Sequence, residues 1–264
     1  MTDQTRGRAA PRSTGAVDIR IDQKRFPDVD SAHDRLILDH IHFSLAPGEF
    51  VALVGPSGCG KTTLLQIVAG LDPEFDGSIR WPTLGHGGQP RLGYVFQNPR
   101  LLPWLSVRDN IALVLDRPSD HTARIDSLIR AMGLGEFSRY RANRLSVGMQ
   151  RRAALARAFA VEPHLLLMDE PFVSLDSPTA DQLRGLLLDV WSARRSNVLF
   201  VTHDLREATM LADRILFLST SPARVIAEEG VAVPRDQRTN EALVADCHDK
   251  LRPVFKRLYR SGER

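Results

Sequence analysis

Cysteine is scarce in this chain of 264 residues, which contains only Cys59 and Cys247. Two cysteines cannot form the disulfide framework of a small secreted domain, so we expect two unpaired thiols in a reducing compartment. A chain of this length buries enough apolar surface to fold without disulfides or metals. The length fits one large domain, or one domain with an inserted subdomain.

Long apolar runs are also absent. No stretch approaches the roughly 18 consecutive apolar residues that a transmembrane helix needs. Residues 1–16 are small, polar and basic and contain no apolar core, so we expect a disordered arm and not a signal peptide. Any role at a membrane is therefore expected to depend on a partner protein.

The body of the chain lacks the basic excess that nucleic-acid binding favours. The net charge is +3, but residues 1–16 contribute +2 and residues 250–264 contribute +5, which leaves −4 for the rest. We therefore expect no nucleic-acid partner. Two interpretations of the basic ends stay open: contact with anionic lipid headgroups, or a solvated helix face and a disordered arm.

The hydrophobic pattern predicts a mixed α/β fold. Residues 17–21 and 36–45 alternate like half-buried strands. Continuous apolar runs at 50–54, 165–168 and 198–201 are typical of strands buried on both faces of a parallel sheet. Apolar residues spaced three and four apart predict helices at 107–115 and 122–132, and further helices are expected at 62–69, 151–160 and 181–194. This βαβ rhythm indicates a doubly wound α/β sheet, and the helical block after Pro99 indicates an inserted subdomain.

A glycine-rich loop follows the strand at 50–54. Residues 55–62 read Gly-Pro-Ser-Gly-Cys-Gly-Lys-Thr and satisfy the pattern G-x-x-x-x-G-K-[ST]. In that pattern backbone N–H groups surround phosphate oxygens, Lys61 reaches the β- and γ-phosphates, and the Thr62 hydroxyl ligates Mg²⁺. The following helix directs its positive N-terminal end at the anion. The alternative is an ordinary strand-to-helix turn.

Two acidic residues, Asp169 and Glu170, end the apolar run at 165–168. Open α/β sheets bind ligands at the carboxyl ends of their strands. There Asp169 can hold Mg²⁺ and Glu170 can accept a proton from an attacking water; the alternative is a solvated turn. Asp204 and Glu207 have the spacing of a capping box. His203 closes the run at 198–201, either as a polar end of a strand or as a hydrogen-bond donor to the γ-phosphate.

Together these features resemble the ATPase subunits of ABC transporters, over roughly residues 17–230. The resemblance identifies residues 55–62 as the Walker A motif and 165–170 as the Walker B motif. It also identifies Gln97 as the Q-loop glutamine, residues 174–176 as the D-loop, and His203 as the switch histidine.

The resemblance implies a P-loop NTPase (RecA-like) core with an N-terminal antiparallel β subdomain and an inserted α-helical subdomain. It divides the chain into a basic arm at 1–16, an ABC ATPase domain at 17–235, and a basic helical tail at 236–264. The helical subdomain occupies about 99–160 within the ATPase domain.

The resemblance also assigns roles to residues, with ATP and Mg²⁺ as the expected ligands. Glu170, His203 and Gln97 are the catalytic candidates, and Mg²⁺ is expected at Thr62, Gln97 and Asp169. Phe26 falls where the family places an adenine-stacking aromatic ring, although it could also be a core residue. The nucleotide-binding candidates are Gly55, Pro56, Ser57, Gly58, Cys59, Gly60, Lys61, Thr62, Thr63, Phe26, Ser146, Gly148 and Asp176.

Residues 145–150 match the family signature Leu-Ser-Gly-Gly-Gln only in part, because Val147 and Met149 replace a glycine and the glutamine. In the family this segment contacts the γ-phosphate bound by the other subunit. It implies a head-to-tail homodimer with two composite ATP sites. Ser146 and Gly148 remain, so we expect function to survive; whether Val147 and Met149 change the trans contact and the hydrolysis rate stays open.

Residues 97–105, 169–172 and 220–226 resemble the importer subgroup for nitrate, sulfonates and taurine. That subgroup implies a peripheral subunit on the cytoplasmic face of the inner membrane, bound to integral permease subunits and indirectly to a solute-binding protein. Trp104 suits docking of a permease helix, unless it packs the helical subdomain. Two other functions stay open: a non-transport ABC ATPase acting on DNA or ribosomes, and a nucleotide-sensing subunit with low turnover.

Overall fold

The computed structural model describes residues 15–27, 34–83, 89–238 and 240–260, with the side chains of 257–260 excepted. The disordered arm expected at 1–16 therefore lies outside the described residues except for its last two positions. The end of the expected basic tail, at 261–264, lies outside them as well.

Nine strands and seven helices follow one another in the described residues. The strands are β1 (Val17–Phe26), β2 (Arg35–Leu45), β3 (Phe50–Val54), β4 (Asp76–Arg80), β5 (Leu92–Val95), β6 (Leu165–Asp169), β7 (Asn197–Thr202), β8 (Arg214–Leu218) and β9 (Val225–Gly230). The helices are α1 (Lys61–Val68), α2 (Val107–Ala112), α3 (Thr122–Ala131), α4 (Val147–Ala160), α5 (Ser177–Ser192), α6 (Leu205–Leu211) and α7 (Glu241–Arg260).

The strands form two sheets. A three-stranded antiparallel sheet has the order β2-β1-β4, and a six-stranded sheet has the order β5-β6-β7-β3-β8-β9. In the larger sheet β5, β6, β7, β3 and β8 run parallel, and β9 pairs antiparallel with β8. This is the predicted α/β core with an N-terminal antiparallel sheet, and the parallel order places four strand ends side by side.

The core lies on both faces of the larger sheet, as the continuous apolar runs predict. All five residues of β3 are buried. Phe50, Ala52 and Val54 face the cluster that includes residues of α4, α5 and α6, while Val51 and Leu53 face α1 and the three-stranded sheet. Burying such a side chain stabilises the fold by about 1.5–3 kcal/mol, so this strand is a rigid base for the loop that follows it.

Strand β1 is longer than the alternating pattern predicts, because it continues from Ile21 to Phe26. The extension contains Lys24, whose side chain is buried. Its ammonium donates to Asp72 Oδ1 at 2.7 Å and to the Glu74 carbonyl at 2.6 Å. A buried lysine needs such partners, and partners about 50 positions away are invisible to a local pattern.

Two helices begin one turn earlier than predicted, because capping residues start them. The Ser146 hydroxyl accepts from Met149 N at the start of α4, and Asp176 accepts from Thr179 N at the start of α5. The N-cap side chains that start these helices are polar, so a prediction based on apolar spacing misses the first turn of each helix. Helix α2 ends at Ala112, three residues earlier than predicted.

Helices α2, α3 and α4 lie between β5 and β6, in the segment predicted as an inserted subdomain. The division of the chain into domains stays a prediction. Both thiols are free, as expected, and both are buried, Cys247 within α7. In the described part of the chain, no helix combines the length and apolar character needed to cross a bilayer.

Candidate functional site

The candidate site lies at the carboxyl edge of the larger sheet, where β5, β6, β7 and β3 end next to one another. Residues 55–60 follow β3 and lead into α1, and Asp169 is the last residue of β6. His203 follows β7, and Gln97 lies two residues after β5. The topology therefore brings four separate sequence motifs to one edge.

The phosphate loop needs glycine at its turns. Gly60 has φ 111°, and a Cβ there would lie 2.9 Å from Leu38 Cδ2 and 3.0 Å from Ile37 Cγ2. Gly58 has φ 74° with open space around it. Only glycine adopts the left-handed region without steric cost, so these positions fix the path of the loop from β3 into α1.

Lys61 is the first residue of α1, and its side chain is buried. Its ammonium donates to the carbonyls of Gly55 at 2.8 Å and Pro56 at 2.7 Å. Among the described residues it forms no ion pair. A buried cation held only by carbonyls favours an anion nearby.

Thr62 and Asp169 meet between α1 and β6, with Thr62 Oγ1 donating to Asp169 Oδ1 at 3.2 Å. Burial raises the pKa of Asp169, while the Thr62 hydrogen bond lowers it. The Tyr94 hydroxyl is buried and makes no hydrogen bond within the described residues. Burial, and then the charge of Asp169, raise the pKa of Tyr94.

Glu170 has a left-handed backbone with φ 43°. For a residue with a side chain this conformation costs about 1–2 kcal/mol, and it is held here by a hydrogen bond from Glu170 N to Val201 O at 3.0 Å. His203 Nδ1 lies 3.4 Å from Glu170 Oε1, and Gln97 Nε2 lies 3.5 Å from Glu170 Oε2. The carboxylate thus sits between the two candidates that the sequence placed on other strands.

The signature segment does not follow one of these strands. It lies at the start of α4. Ser146 and Val147 are exposed, with 54% of Val147 accessible. Gly148 is buried, and a Cβ there would lie 2.7 Å from Thr179 Cγ2. Thr179 also donates through Oγ1 to Asp176 Oδ2 at 2.8 Å. The signature turn and the D-loop aspartate are therefore packed together through Thr179.

The remaining nucleotide-binding candidates fall into three places. The Cys59 side chain is buried in the core, and burial raises the pKa of its thiol. Thr63 lies in the first turn of α1, beside Thr62. Phe26 ends β1 with 39% of its surface exposed, and Lys24 Nζ lies 4.5 Å from its ring centroid. The exposure argues against the alternative of a core residue.

Trp104 is 64% exposed, so the structure does not support the alternative in which it packs the helical segment. It lies beside a groove whose first lining residue, Asn98, directly follows Gln97 in the chain. The groove is lined by Asn98, Pro99, Arg100, Leu101, Pro103, Ala142, Asn143 and Gln150.

The expected capping box at Asp204 is only half formed. Asp204 Oδ1 accepts from the backbone N–H groups of Arg206 and Glu207, so the cap is confirmed. Glu207 does not complete the box, because its carboxylate is occupied by Thr202 Oγ1 at 2.7 Å and Arg184 Nη1 at 3.3 Å. Sequence reasoning missed this buried network behind His203.

Comparisons with known proteins agree with the geometry. A family model described as ABC transporter matches residues 38–173. The aliphatic sulfonates import ATP-binding protein SsuB 2 of Burkholderia lata is 41% identical over 251 residues, covering 95% of this chain and 90% of that protein. The Bacillus subtilis protein SsuB, with the same description, is 40% identical over 230 residues, covering 85% of this chain and 89% of its own length.

Solved structures give the same result for the fold. A dimeric post-hydrolysis structure of the ATP-binding cassette MJ0796 bound to ADP and Pi superposes with a TM-score of 0.70 at 26% identity. The superposition covers 83% of this chain and 100% of the cassette chain.

Proposed function

The chain belongs to the ABC transporter family, and from that premise we propose that it is the ATP-hydrolysing subunit of an importer for aliphatic sulfonates. The observation that carries the proposal is the sheet edge, where Lys61, Asp169, Glu170 and His203 follow three adjacent parallel strands. The solute class comes from the shared description of relatives about 40% identical over most of their length. This description narrows the expected solutes, which were nitrate, sulfonates and taurine, to aliphatic sulfonates.

ATP phosphates suit the loop between β3 and α1. Lys61 is buried with carbonyl partners only, so a phosphate would supply the negative charge that its surroundings lack. The positive end of α1 and the backbone N–H groups of residues 57–60 add to the same field. Thr63 lies in the first turn of α1 and Phe26 is exposed at the end of β1, where we assign them to phosphate and adenine respectively.

Mg²⁺ suits the pair formed by Thr62 and Asp169. Both offer hard oxygen donors, and their oxygens are 3.2 Å apart. At nucleotide sites Mg²⁺ takes one or two protein carboxylates and completes its shell with phosphates and waters. We assign the Gln97 side-chain oxygen to the same ion. When bound, Mg²⁺ neutralises charge on the β- and γ-phosphate oxygens.

We assign water activation to Glu170. Its carboxylate lies one residue beyond the Mg²⁺-binding Asp169, and it can accept a proton from a water aligned with the γ-phosphate. His203 is half exposed and within 3.4 Å of that carboxylate, so a small movement of its ring would let it donate to the γ-phosphate instead. Gln97 borders the same carboxylate and leads into the groove beside Trp104.

We propose that the active assembly is a homodimer with two composite sites. Ser146, Gly148 and Asp176 of one copy would contact the nucleotide in the phosphate loop of the other. Ser146 and Asp176 are exposed at the N-termini of α4 and α5, and Gly148 lies buried in the first turn of α4. These positions support the proposal, because N-terminal turns present free N–H groups to an anion. Val147 replaces a glycine in this turn and adds an exposed apolar side chain.

We further propose that integral permease subunits dock at the groove beside Trp104, and that a solute-binding protein delivers the sulfonate. The chain would then be a peripheral subunit on the cytoplasmic face of the membrane. An exposed tryptophan beside a groove is typical of a protein–protein contact. That groove adjoins Gln97, so permease movements would reach the nucleotide site through it.

The test is reconstitution of the full chain with its permease subunits and solute-binding protein in liposomes. We expect ethanesulfonate to stimulate MgATP hydrolysis and to accumulate inside the liposomes. Nitrate at the same concentration is the matched control and should do neither. Hydrolysis that responds to nitrate but not to ethanesulfonate would remove the solute assignment, and absence of MgATP hydrolysis would remove the whole proposal.

A further inference from the structure

A buried charged network lies behind His203 and takes no direct part in the proposed chemistry. Arg184 of α5 has 8% of its side chain exposed, Glu207 of α6 has 15%, and Thr202 is fully buried. Removing two charges from water costs several kcal/mol per ion unless they are well paired. A buried pair that carries this cost is expected to orient the groups that it contacts.

The carboxylate of Glu207 holds the residues on both sides of His203. Glu207 Oε2 accepts from Thr202 Oγ1 at 2.7 Å, and the same hydroxyl oxygen accepts from Asp204 N at 3.0 Å. Asp204 in turn caps α6, which contains Glu207. The backbone on either side of the histidine is thus closed into one hydrogen-bonded turn that Glu207 orients.

Arg184 connects that turn to the segment that follows Glu170. Its Nη1 donates to Glu207 Oε1 at 3.3 Å, and its Nη2 donates to Asp181 Oδ1 at 2.7 Å. Its guanidinium lies 5.4 Å from the ring centroid of Phe172, which is two residues after Glu170. One guanidinium therefore contacts both the segment that follows Glu170 and the carboxylate that orients the His203 turn.

Stability alone does not account for the pair. Helix α6 already packs through the buried residues Leu205, Ala208 and Leu211 and is capped by Asp204. Arg184 Nε is buried and makes no hydrogen bond within the described residues. Burial raises the pKa of Glu207, although Thr202 and Arg184 oppose that shift. An incompletely satisfied buried pair stabilises a fold less well than apolar side chains of similar size.

We propose that Arg184 and Glu207 are positioning residues for His203. The pair fixes the turn at Thr202–Asp204 relative to Phe172, so that His203 stays within reach of Glu170 and of the γ-phosphate. This inference rests on the proposed ATPase function. Because the pair acts through another residue, its loss should lower the rate of hydrolysis and leave nucleotide binding unchanged.

The experiment is a double-mutant cycle on the full chain with a radiometric phosphate-release assay that measures low rates. Glu207→Gln keeps the size and a carbonyl acceptor for Thr202, but removes the charge that Arg184 needs. We expect kcat to fall about tenfold, since misplacing a catalytic group by about 1 Å costs up to ~10²-fold. KM and the Kd for MgATP should stay within about twofold. In a His203→Ala background, Glu207→Gln should cause no further loss.

A matched control separates positioning from general stability. Leu187→Ala removes a buried side chain from α5, the helix that contains Arg184, and leaves Arg184 and Glu207 in place. It should lower Tm at least as much as Glu207→Gln does, while kcat stays within about twofold of wild type. Equal losses in kcat with and without His203, or a Leu187→Ala variant as slow as Glu207→Gln, would overturn the inference. A wild-type chain that neither binds nor hydrolyses MgATP would overturn the proposed function instead, and this inference with it.

Discussion

At the scale of single residues, the site depends on a residue that its neighbours hold in an unfavourable backbone conformation. Glu170 has a left-handed backbone, and its carboxylate is contacted from both sides by Gln97 and His203. Strain of this kind persists only where neighbours fix it, and it is concentrated at functional positions. The geometry therefore singles out Glu170 as the residue whose exact chemistry matters.

Glu170→Gln should abolish most of the hydrolysis and keep nucleotide binding. The amide keeps the size of the side chain but cannot accept a proton from water, and loss of a general base costs about 10²–10⁴-fold in rate. Steady-state phosphate release together with the Kd for MgATP measures both quantities. A variant with near-wild-type turnover would remove Glu170 from its proposed role.

His164 should make the stability of the protein depend on pH near neutrality. Burial, and then the charge of Arg91, lower the pKa of His164, and its Nδ1 accepts from Arg91 N at 3.0 Å. A histidine with a lowered pKa is protonated more readily in the unfolded chain, so stability falls as pH drops below about 6.5, the pKa of free histidine.

The measurement is Tm between pH 7.5 and 5.5, as wild type and as His164→Asn. The asparagine carbonyl can accept the same N–H without titrating, so the variant should lose less Tm over this range than wild type. If the two pH profiles are parallel, His164 does not contribute to the pH dependence.

At the scale of elements, two helix N-termini carry the surface proposed to face the second copy. Ser146 caps α4 and Asp176 caps α5, and the two first turns touch at Gly148 and Thr179. Arg151 of α4 also donates to the carbonyls of Pro171 at 3.0 Å and Val173 at 2.8 Å. The signature turn is therefore bound firmly to the segment that follows Glu170.

Gly148→Ala should destabilise the fold, because overpacking usually costs about 1–3 kcal/mol. The new Cβ would lie 2.7 Å from Thr179 Cγ2, and Thr179 cannot rotate away without losing its hydrogen bond to Asp176. The gain of about 1 kcal/mol that alanine brings over glycine inside a helix offsets part of this cost, so we expect a net loss of up to about 2 kcal/mol.

Thr179→Ser supplies the rescue, because serine keeps the hydroxyl that bonds Asp176 and lacks the methyl group. Urea unfolding of wild type, both single variants and the double variant should show Gly148→Ala as harmful only when Thr179 is present. Destabilisation of equal size in the Thr179→Ser background would show that this contact is not the cause.

At the scale of the whole molecule, the proposed composite site takes its two halves from different copies. The phosphate loop follows β3, whereas Ser146 caps α4 at an exposed position, where its hydroxyl accepts a hydrogen bond from Met149 N. A head-to-tail pair related by a twofold axis would use both surfaces twice. The dimeric cassette that superposes on this chain is consistent with such a pair.

Two inactive variants should therefore complement each other when mixed. Lys61→Ala removes the phosphate-loop cation but keeps its signature turn, and Ser146→Arg blocks the signature turn but keeps its phosphate loop. A mixed dimer contains one intact composite site, so an equimolar mixture should recover up to about a quarter of wild-type turnover if the copies pair at random. Each variant alone should stay below about a hundredth. No recovery on mixing, with both variants folded by Tm, would contradict the composite site.

Local chemistry determined much of this protein from the sequence alone. The glycines and lysine of residues 55–62, the acids at 169–170 and the apolar runs before them predicted the phosphate loop, its neighbouring carboxylates and the parallel sheet. These features are readable because each is set by neighbours within a few positions: backbone freedom, strand burial and charge at a strand end.

Only the tertiary structure decided which distant groups meet. The pairing of Lys24 with Asp72, of Arg184 with Glu207 and of Gly148 with Thr179 joins residues 48, 23 and 31 positions apart. No local pattern encodes these contacts, because each is produced by packing of elements that are separate in the chain. The length of β1, the incomplete capping box and the turn that holds His203 were decided in the same way.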